Sequence, residues 1–152
     1  MIYKSYEKCY TIQGNHQLGS IYMEIQKLVR SHESEETYLE VIFDLKRKKS
    51  AVYSIDVVEA LGYAKSSVSR GVNLLKKKEL ITIAKDGEIQ LTKLGENYAR
   101  AIEERHIIIT KALQVFDIDF ETAEEDACRI EHVISEKSFL MIKSFLQNKM
   151  KI

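Results

Sequence analysis

A tight hairpin signal that follows two short helices constrains the fold of this chain more than any other feature. The Asp-Gly pair in the KDGE run at residues 85–88 lies between two β-rich runs, ITIA and IQLT, which is a strong hairpin signal. Before it, Ser54 is expected to begin a short helix that Gly62 closes, and a four-residue turn leads to a second helix capped by Ser66 or Ser67. This order of elements predicts a winged helix-turn-helix, whose second helix enters the major groove of DNA.

Apolar residues at spacings of three and four predict five further helices around this motif. These helices cover residues 16–29, 34–45, 92–116, 122–134 and 135–150. Capping residues support their starts at Ser34, Thr92, Asp119 or Thr122, and Ser135. The predicted fold class is therefore mainly α with a small β-hairpin.

The formal net charge of zero hides a strong segregation of charge along the chain. Between Lys46 and Arg100 there are twelve basic and six acidic residues, a net charge of +6. Between Ala101 and Ile134 there are three basic and nine acidic residues, a net charge of −6. A basic segment suits a polyanion such as DNA, and an acidic segment suits a cation. Two solvated surfaces without a ligand are the alternative explanation of the charge pattern alone.

The second helix of the motif carries most of the residues that we expect to contact DNA. Hydroxyls, backbone N–H groups and an arginine fork at its N-terminal end can reach phosphates and base edges. Arg70 is expected to read a base, and Lys85 at the hairpin tip is expected to contact a phosphate. Gly71 inside this helix costs about 1 kcal/mol relative to alanine, and the pattern gives no reason for it. The predicted DNA-binding set is Lys65, Ser66, Ser67, Ser69, Arg70 and Lys85.

The run DACRIEH carries a combination of side chains that is typical of a metal site. Cys128, Glu131 and His132 stand at i, i+3 and i+4, which puts them on one face of the predicted helix, and Glu124 extends that face. His106 interrupts an apolar stripe on the preceding helix and is therefore expected to point inward. Mixed nitrogen, oxygen and sulfur ligands suit a divalent transition ion rather than calcium. A core histidine and a small buried cysteine without a metal are the alternative.

The N-terminal sequence indicates the compartment. It lacks the apolar core and small residues that a signal peptidase recognises, and no apolar run approaches the roughly 20 residues that cross a bilayer. We therefore expect a cytoplasmic protein without a membrane partner. Cys9 and Cys128 form no CxxC pair and are not expected to form a disulfide in a reducing compartment.

Five runs in this order resemble the DtxR/MntR family of iron- and manganese-dependent repressors. They are ETYLEVIFDL, AKSSVSRGVNLL, IQLTKLGENYA, ERH at residues 104–106, and EEDACRIEHVIS. The resemblance covers roughly residues 34–146. Residues 1–33 lie outside this shared part, and the apolar spacing over 16–29 predicts that they form a helical N-terminal extension. The resemblance implies a winged helix-turn-helix DNA-binding domain over 34–100 and an all-α dimerisation and metal-binding domain over 101–152. It also implies a homodimer that binds double-stranded operator DNA through paired reader helices.

The same resemblance implies that a divalent ion switches DNA binding on. Carried over residue by residue, the implied metal ligands are Glu40, His106, Cys128, Glu131 and His132, with Glu124 as an outer or second-site ligand. The implied ion is manganese or iron(II), with zinc, cobalt and nickel as alternatives.

Two departures from the family pattern leave the metal open. Thr37 stands where the family has a Met or an Asp ligand, and threonine is a poor ligand that water can replace. Cys128 matches the iron-dependent type, whereas the length of 152 residues matches the manganese-dependent type.

The leading hypothesis for the function is a metal-dependent transcriptional repressor that controls genes of metal uptake or homeostasis. One alternative is a regulator of the same fold that has lost metal gating, as Thr37 allows. Another is a small metal-binding enzyme that uses Cys128, Glu131 and His132. An enzyme is not expected, because the sequence has no Gly-rich phosphate loop, no nucleophile elbow and no HExxH motif to organise the chemistry.

Overall fold

The computed structural model describes residues 35–149, which form six helices and one antiparallel hairpin. The elements are α1 (residues 35–48), α2 (Ser54–Leu61), α3 (Lys65–Lys77), β1 (Ile81–Ile83), β2 (Ile89–Leu91), α4 (Lys93–Gln114), α5 (Phe120–Ile130) and α6 (Glu136–Lys149). The predicted helix over 16–29, the Ser34 cap, the extension over 1–33 and Cys9 lie outside the described residues. The predicted fold class, mainly α with a small hairpin, is confirmed.

The described residues divide into two compact units between Ala101 and Ile102, inside α4. In the first unit, residues 35–101, the core is built from the apolar faces that the helical spacing predicts. The side chains of Leu39 and Ile42 on α1 and of Val68 and Leu75 on α3 are completely buried. The two helices of the predicted helix-turn-helix, α2 and α3, pack on each other. Burial of these faces supplies the hydrophobic contribution to the stability of the unit.

The hairpin forms where the Asp-Gly pair predicts it, with three residues, 85–87, in the loop. Ile81 pairs with Leu91 and Ile83 with Ile89, and the turn between them is closed by a 3.0 Å bond from the Gly87 N–H to the Ala84 carbonyl. Gly87 has a φ of 90°, a backbone conformation that a residue with a Cβ adopts only at a cost. Such a tight loop leaves the side chain at its tip exposed, which is where Lys85 lies.

Two helix starts in this unit differ from the prediction. The cap of α2 is Tyr53 rather than Ser54, because the Asp56 carboxylate accepts a 2.8 Å hydrogen bond from the Tyr53 N–H and closes the first turn one residue earlier. The cap of α3 is Ala64 rather than Ser66 or Ser67, and no side chain caps it. The serine hydroxyls of the first turn of α3 therefore do not cap the helix, although Gly62 ends α2 in the left-handed conformation as predicted.

The second unit, from Ile102 onward, contains the remainder of α4 with α5 and α6. Two predicted caps are present: the Asp119 carboxylate accepts a 3.0 Å bond from the Thr122 N–H, and the Ser135 hydroxyl accepts a 3.2 Å bond from the Ser138 N–H. Two ion pairs join α4 to α6, one between Arg105 and Glu136 and one between Lys143 and Glu104. These ion pairs show that α6 lies alongside the middle of α4 within this unit.

The end of α5 is the main correction to the sequence prediction. The helix ends at Ile130, not at Ile134, and Glu131 is its C-cap residue. The chain continues in a hydrogen-bonded turn in which the Ile134 N–H donates to the Ile130 carbonyl at 2.9 Å. Glu131 therefore lies at the end of the helix, and His132 lies in the turn that follows. Among residues 35–149, every helix is too short or too polar to span a bilayer.

Candidate metal centre and DNA-binding surface

A fully buried carboxylate occupies the end of α5. The side chain of Glu131 is 0% exposed, and its Oε2 atom lies 3.0 Å from Nδ1 of His106 on α4. Its Oε1 atom lies 3.4 Å from Nε2 of His132 in the turn that follows α5. The side chains of His106 and His132 are only 12% and 2% exposed. We refer to these three residues as the Glu131 cluster.

The Glu131 cluster leaves one carboxylate oxygen unsatisfied. Among the described residues, Oε1 of Glu131 accepts no hydrogen bond although it is buried. Taking a carboxylate out of water without full compensation costs several kcal/mol. This cost is offset only if a positive group compensates the negative charge of the carboxylate. A divalent ion is one such group. A carboxylate oxygen beside imidazole nitrogens is a donor set that suits a divalent transition ion, so the residues fit such an ion.

The backbone explains why these side chains meet. The Glu131 N–H completes the helical ladder by donating to the Ala127 carbonyl at 2.9 Å, which fixes the direction of the Glu131 side chain at the end of α5. His106 lies on α4 between Ile102 and Ile109, both 2% exposed, so it points inward as predicted. The tertiary packing of α5 on this face of α4 then determines which groups the carboxylate meets.

The other predicted metal ligands of this unit lie earlier on α5. Cys128 is buried at 5% exposure, and Glu124 is half-buried one turn earlier. Within residues 102–149, neither joins Glu131 and His132 in a group whose donor atoms all lie within 4.8 Å of one another. Cys128 lies three residues before Glu131, whose backbone keeps helical angles and whose N–H still donates to the Ala127 carbonyl.

In the first unit, the two predicted positions on α1 are both buried. Glu40 is 9% exposed, and Thr37, one turn before it, is 1% exposed. Residues three apart share a face of a helix, so both side chains lie on the same side of α1. A carboxylate on the buried side of α1 is unusual for a helix whose other buried residues are mostly apolar.

The predicted DNA-binding residues form an exposed polar surface at the start of α3. Lys65, Ser66, Ser69 and Arg70 are exposed, and Ser67 is half-buried. Arg70 lies near the Ser67 hydroxyl, with 3.4 Å between Nη2 and Oγ. Lys85 is exposed at the tip of the hairpin. The first turns of α3 thus expose hydroxyl groups and a guanidinium group. These groups can donate hydrogen bonds to phosphates and to base edges.

Several lysines around this surface face carboxylates. Lys46 lies 2.8 Å from Glu88, and Lys49 pairs with Asp56. Hydrogen bonds from these lysines are the main reason that the pKa values of Glu88 and Asp56 lie below their usual range. The basic excess of the sequence is thus partly neutralised at Lys46 and Lys49, whereas Lys85 is exposed at the hairpin tip.

Sequence reasoning missed one contact that lies directly behind this surface. Tyr38 on α1 is 5% exposed, and its ring stands edge-on to that of Tyr63, with 6.1 Å between centroids. Burial raises the pKa of the Tyr38 hydroxyl, Tyr63 raises it further, and Arg70 opposes the shift. A Cβ atom added to Gly71 would lie 2.3 Å from this ring. The unexplained glycine within a helix was the signal in the sequence.

Two protein-family models match the chain. The N-terminal DNA-binding domain of iron-dependent repressors matches residues 30–89, and their metal-binding and dimerisation domain matches residues 92–151. The transcriptional regulator MntR of Escherichia coli O157:H7 is 31% identical over 110 residues, which are 72% of this chain and 71% of that protein. The chain belongs to the DtxR/MntR family of iron- and manganese-dependent repressors.

Other members of the DtxR/MntR family show the extent of the similarity. The regulator MntR of Bacillus velezensis is 31% identical over 75% of this chain and 80% of its own length. The diphtheria toxin repressor of Corynebacterium diphtheriae is 26% identical over 69% of this chain but only 47% of its own length. The chain thus spans about half the length of the first curated relatives that it matches. The family resemblance predicted from the sequence is confirmed.

Solved structures support the fold. The manganese regulator SloR superposes with a TM-score of 0.64 at 23% identity, covering 74% of this chain and 53% of SloR. A manganese-dependent transcriptional repressor in complex with manganese superposes with a TM-score of 0.65 at 22% identity, covering 74% of this chain and 52% of that structure. These likenesses establish the fold of this DtxR/MntR family member.

Proposed function

We propose that this chain is a metal-dependent transcriptional repressor that binds operator DNA as a homodimer and controls genes of metal uptake or homeostasis. The observation that carries the proposal is the fully buried Glu131 carboxylate, whose Oε1 accepts no hydrogen bond within the described residues while two imidazoles face it. Membership of a family whose models describe DNA-binding and metal-binding domains supports it.

The proposed ligand set combines the Glu131 cluster with the residues that the family resemblance adds. It consists of Glu40, His106, Cys128, Glu131 and His132, with Glu124 as an outer or second-site ligand. The ion supplies a fixed divalent positive charge that several negative ligands share. We propose manganese or iron(II) as the physiological ion, because relatives are named for iron and manganese. Zinc, cobalt and nickel suit the same donor atoms.

Repulsion among the anionic ligand residues makes DNA binding depend on the metal ion. Glu40 and Glu131 are carboxylates in buried positions, and several anionic ligands brought together repel one another unless a cation is bound. The arrangement in which all ligands are assembled is therefore favoured only when the ion is present. An ion shifts this equilibrium by its difference in affinity for the two arrangements. Glu40 lies on α1, which contacts the reader helix α3 through Tyr38, so the ligand arrangement bears on the DNA-binding unit.

The proposed DNA contacts follow the exposed surface of α3 and the hairpin. Arg70 is proposed to read a base and Lys85 to contact a phosphate, while Lys65, Ser66, Ser67 and Ser69 orient α3 on the backbone. A homodimer supplies two such helices for two half-sites. Exposed apolar residues on α6, Leu140, Met141 and Phe145, are consistent with a subunit interface. A regulator of this kind acts on the chromosome, so we place it in the cytoplasm, and its proposed role is binding rather than catalysis.

The experiment that tests the function is operator binding by the purified protein, titrated separately with manganese, iron(II) and zinc and compared with a chelator. Wild-type protein is expected to bind operator tightly only with metal, and Glu131→Gln is expected to lose the response. Glu121→Gln makes the same chemical change on the exposed first turn of α5 and serves as the matched control. Equal operator affinity with metal and with chelator would favour the alternative, a regulator without metal gating, which Thr37 allows.

A further inference from the structure

Gly71 lies in the middle of α3, where glycine costs about 1 kcal/mol relative to alanine. The structure shows why a residue with a side chain does not fit at this position. A Cβ at this position would lie 2.3 Å from Cε2 and 2.4 Å from Cδ2 of Tyr38, far inside van der Waals contact. The ring of Tyr38 is therefore seated directly against the backbone of the reader helix, and only glycine leaves room for it.

The ring of Tyr38 is also held from a second side. It is 5% exposed and forms an edge-to-face pair with Tyr63, with an interplanar angle of 83°. Tyr63 lies in the turn that joins α2 to α3. Edge-to-face aromatic pairs contribute about 0.5–1.5 kcal/mol beyond the area that they bury. One side chain of α1 thus contacts both the backbone of α3 and the turn before it, so α1 and α3 are not free to slide independently.

Tyr38 and Gly71 each lie close in sequence to a residue with a proposed function. Tyr38 stands two residues before Glu40, a proposed metal ligand, and Gly71 directly follows Arg70, the proposed base reader. The contact of Tyr38 with Gly71 therefore joins the helix of a proposed ligand to the helix of the proposed reader by packing alone. We propose that Tyr38 is a positioning residue whose ring, seated over Gly71, fixes the reader helix on α1 and passes the effect of metal binding to Arg70. This inference rests on the proposed function.

The test compares three variants in the full chain. Tyr38→Ala removes the ring, Gly71→Ala displaces it, and Tyr38→Phe keeps the ring without its hydroxyl. For each variant, the affinities for operator DNA and for random DNA are measured with manganese and with chelator, together with manganese stoichiometry. With manganese, Tyr38→Ala and Gly71→Ala are each expected to bind operator DNA about tenfold more weakly than wild type, a factor typical of allosteric coupling between two sites. Their affinity for random DNA and their manganese stoichiometry are expected to stay unchanged. Tyr38→Phe is expected to behave as wild type.

A merely structural role gives a different result. The matched control is Val52→Ala, which removes buried apolar atoms from the same unit beside the hairpin. If Tyr38 only fills the core, its variants resemble Val52→Ala, with a lower melting temperature and an unchanged ratio of operator to random-DNA affinity, and that result overturns the proposal. If Tyr38→Ala fails to fold, Tyr38→Leu replaces it, because leucine keeps apolar bulk without the planar ring. Its melting temperature and its ratio of operator to random-DNA affinity are then compared with those of Val52→Ala. An absent metal response in wild type refutes the proposed function, whereas a normal response in both wild type and variants refutes only this inference.

Discussion

Nδ1 of His106 on α4 lies 3.0 Å from Oε2 of Glu131, the C-cap residue of α5. The Glu131 side chain is fully buried, and its second oxygen, Oε1, accepts no hydrogen bond within residues 35–149. His132 Nε2 lies 3.4 Å from Oε1 but forms no hydrogen bond with it, so the buried carboxylate charge is incompletely compensated. A divalent ion bound at Oε1 would complete the compensation of this charge.

Glu131→Gln should abolish the thermal stabilisation that manganese gives. A ligand that binds only the folded state stabilises it by about 2.7 kcal/mol at one hundred times its dissociation constant. The amide keeps the size of the side chain but removes the charge that attracts the ion. Differential scanning calorimetry with manganese and with chelator is expected to show a metal-dependent shift in wild type and none in the variant. A shift of equal size in the variant would remove Glu131 from the ligand set.

Arg70→Ala and Lys85→Ala should weaken DNA binding in different ways. Loss of a bidentate base contact costs about 1–3 kcal/mol on the operator, whereas loss of a phosphate contact lowers affinity on all sequences alike. Both side chains are exposed, so neither variant is expected to disturb the fold. Fluorescence anisotropy with operator and random duplexes at matched salt concentration separates the two effects. Equal losses on both duplexes for Arg70→Ala would show that Arg70 reads no base.

Gly95→Ala should destabilise the first unit. A Cβ at Gly95 would lie 1.9 Å from the carbonyl oxygen of Leu80, which is backbone and cannot rotate away. Forced overpacking of this kind costs about 1–3 kcal/mol of unfolding free energy. Urea unfolding followed by circular dichroism measures the effect, and Asn97→Ala on the exposed side of the same helix is the control. Unchanged stability of Gly95→Ala would mean that the contact of α4 with Leu80 is looser than the structure indicates.

The Asp119 cap of α5 should contribute to stability only above acidic pH. The hydrogen bond from the Thr122 backbone N–H is the main reason that the pKa of Asp119 lies below its ordinary value of 3.8. Because the folded-state pKa is lowered, the stabilisation is complete above the unfolded-state value and is lost as the pH falls through the folded-state value. Asp119→Asn keeps a capping oxygen without a titrating charge. Chemical unfolding between pH 6 and pH 3, a range that brackets the ordinary aspartate pKa, should therefore show a shallower decline for the variant than for wild type. Parallel declines would exclude this contribution.

Local signals in the sequence were enough to predict most of the fold. The Asp-Gly turn and the apolar spacing predicted the hairpin and the inward faces of α1 and α3, because turn geometry and helical period depend on neighbouring residues. The end of α5 was predicted four residues too late, since Glu131 and His132 continue the helical spacing although the backbone leaves the helix after Ile130. Helix boundaries are set partly by tertiary packing, which the spacing does not contain.

The candidate site was predicted less completely than the fold. The inward direction of His106 followed from the apolar residues on either side of it, and its contact with Glu131 agrees with that expectation. The seat of Tyr38 over Gly71 was not predicted, because it joins residues that are far apart in sequence and depends on how α1 packs on α3. A glycine inside a helix signals a close approach but does not name the group that approaches.

We propose that a divalent ion controls DNA binding through the buried carboxylates. The measurement that tests it most directly is the operator affinity of wild-type protein with manganese and with chelator, at one salt concentration and with bound metal determined by elemental analysis. We expect stoichiometric bound metal and an operator affinity at least about tenfold higher with manganese than with chelator. Equal affinity in the two conditions, with no metal bound, would contradict it.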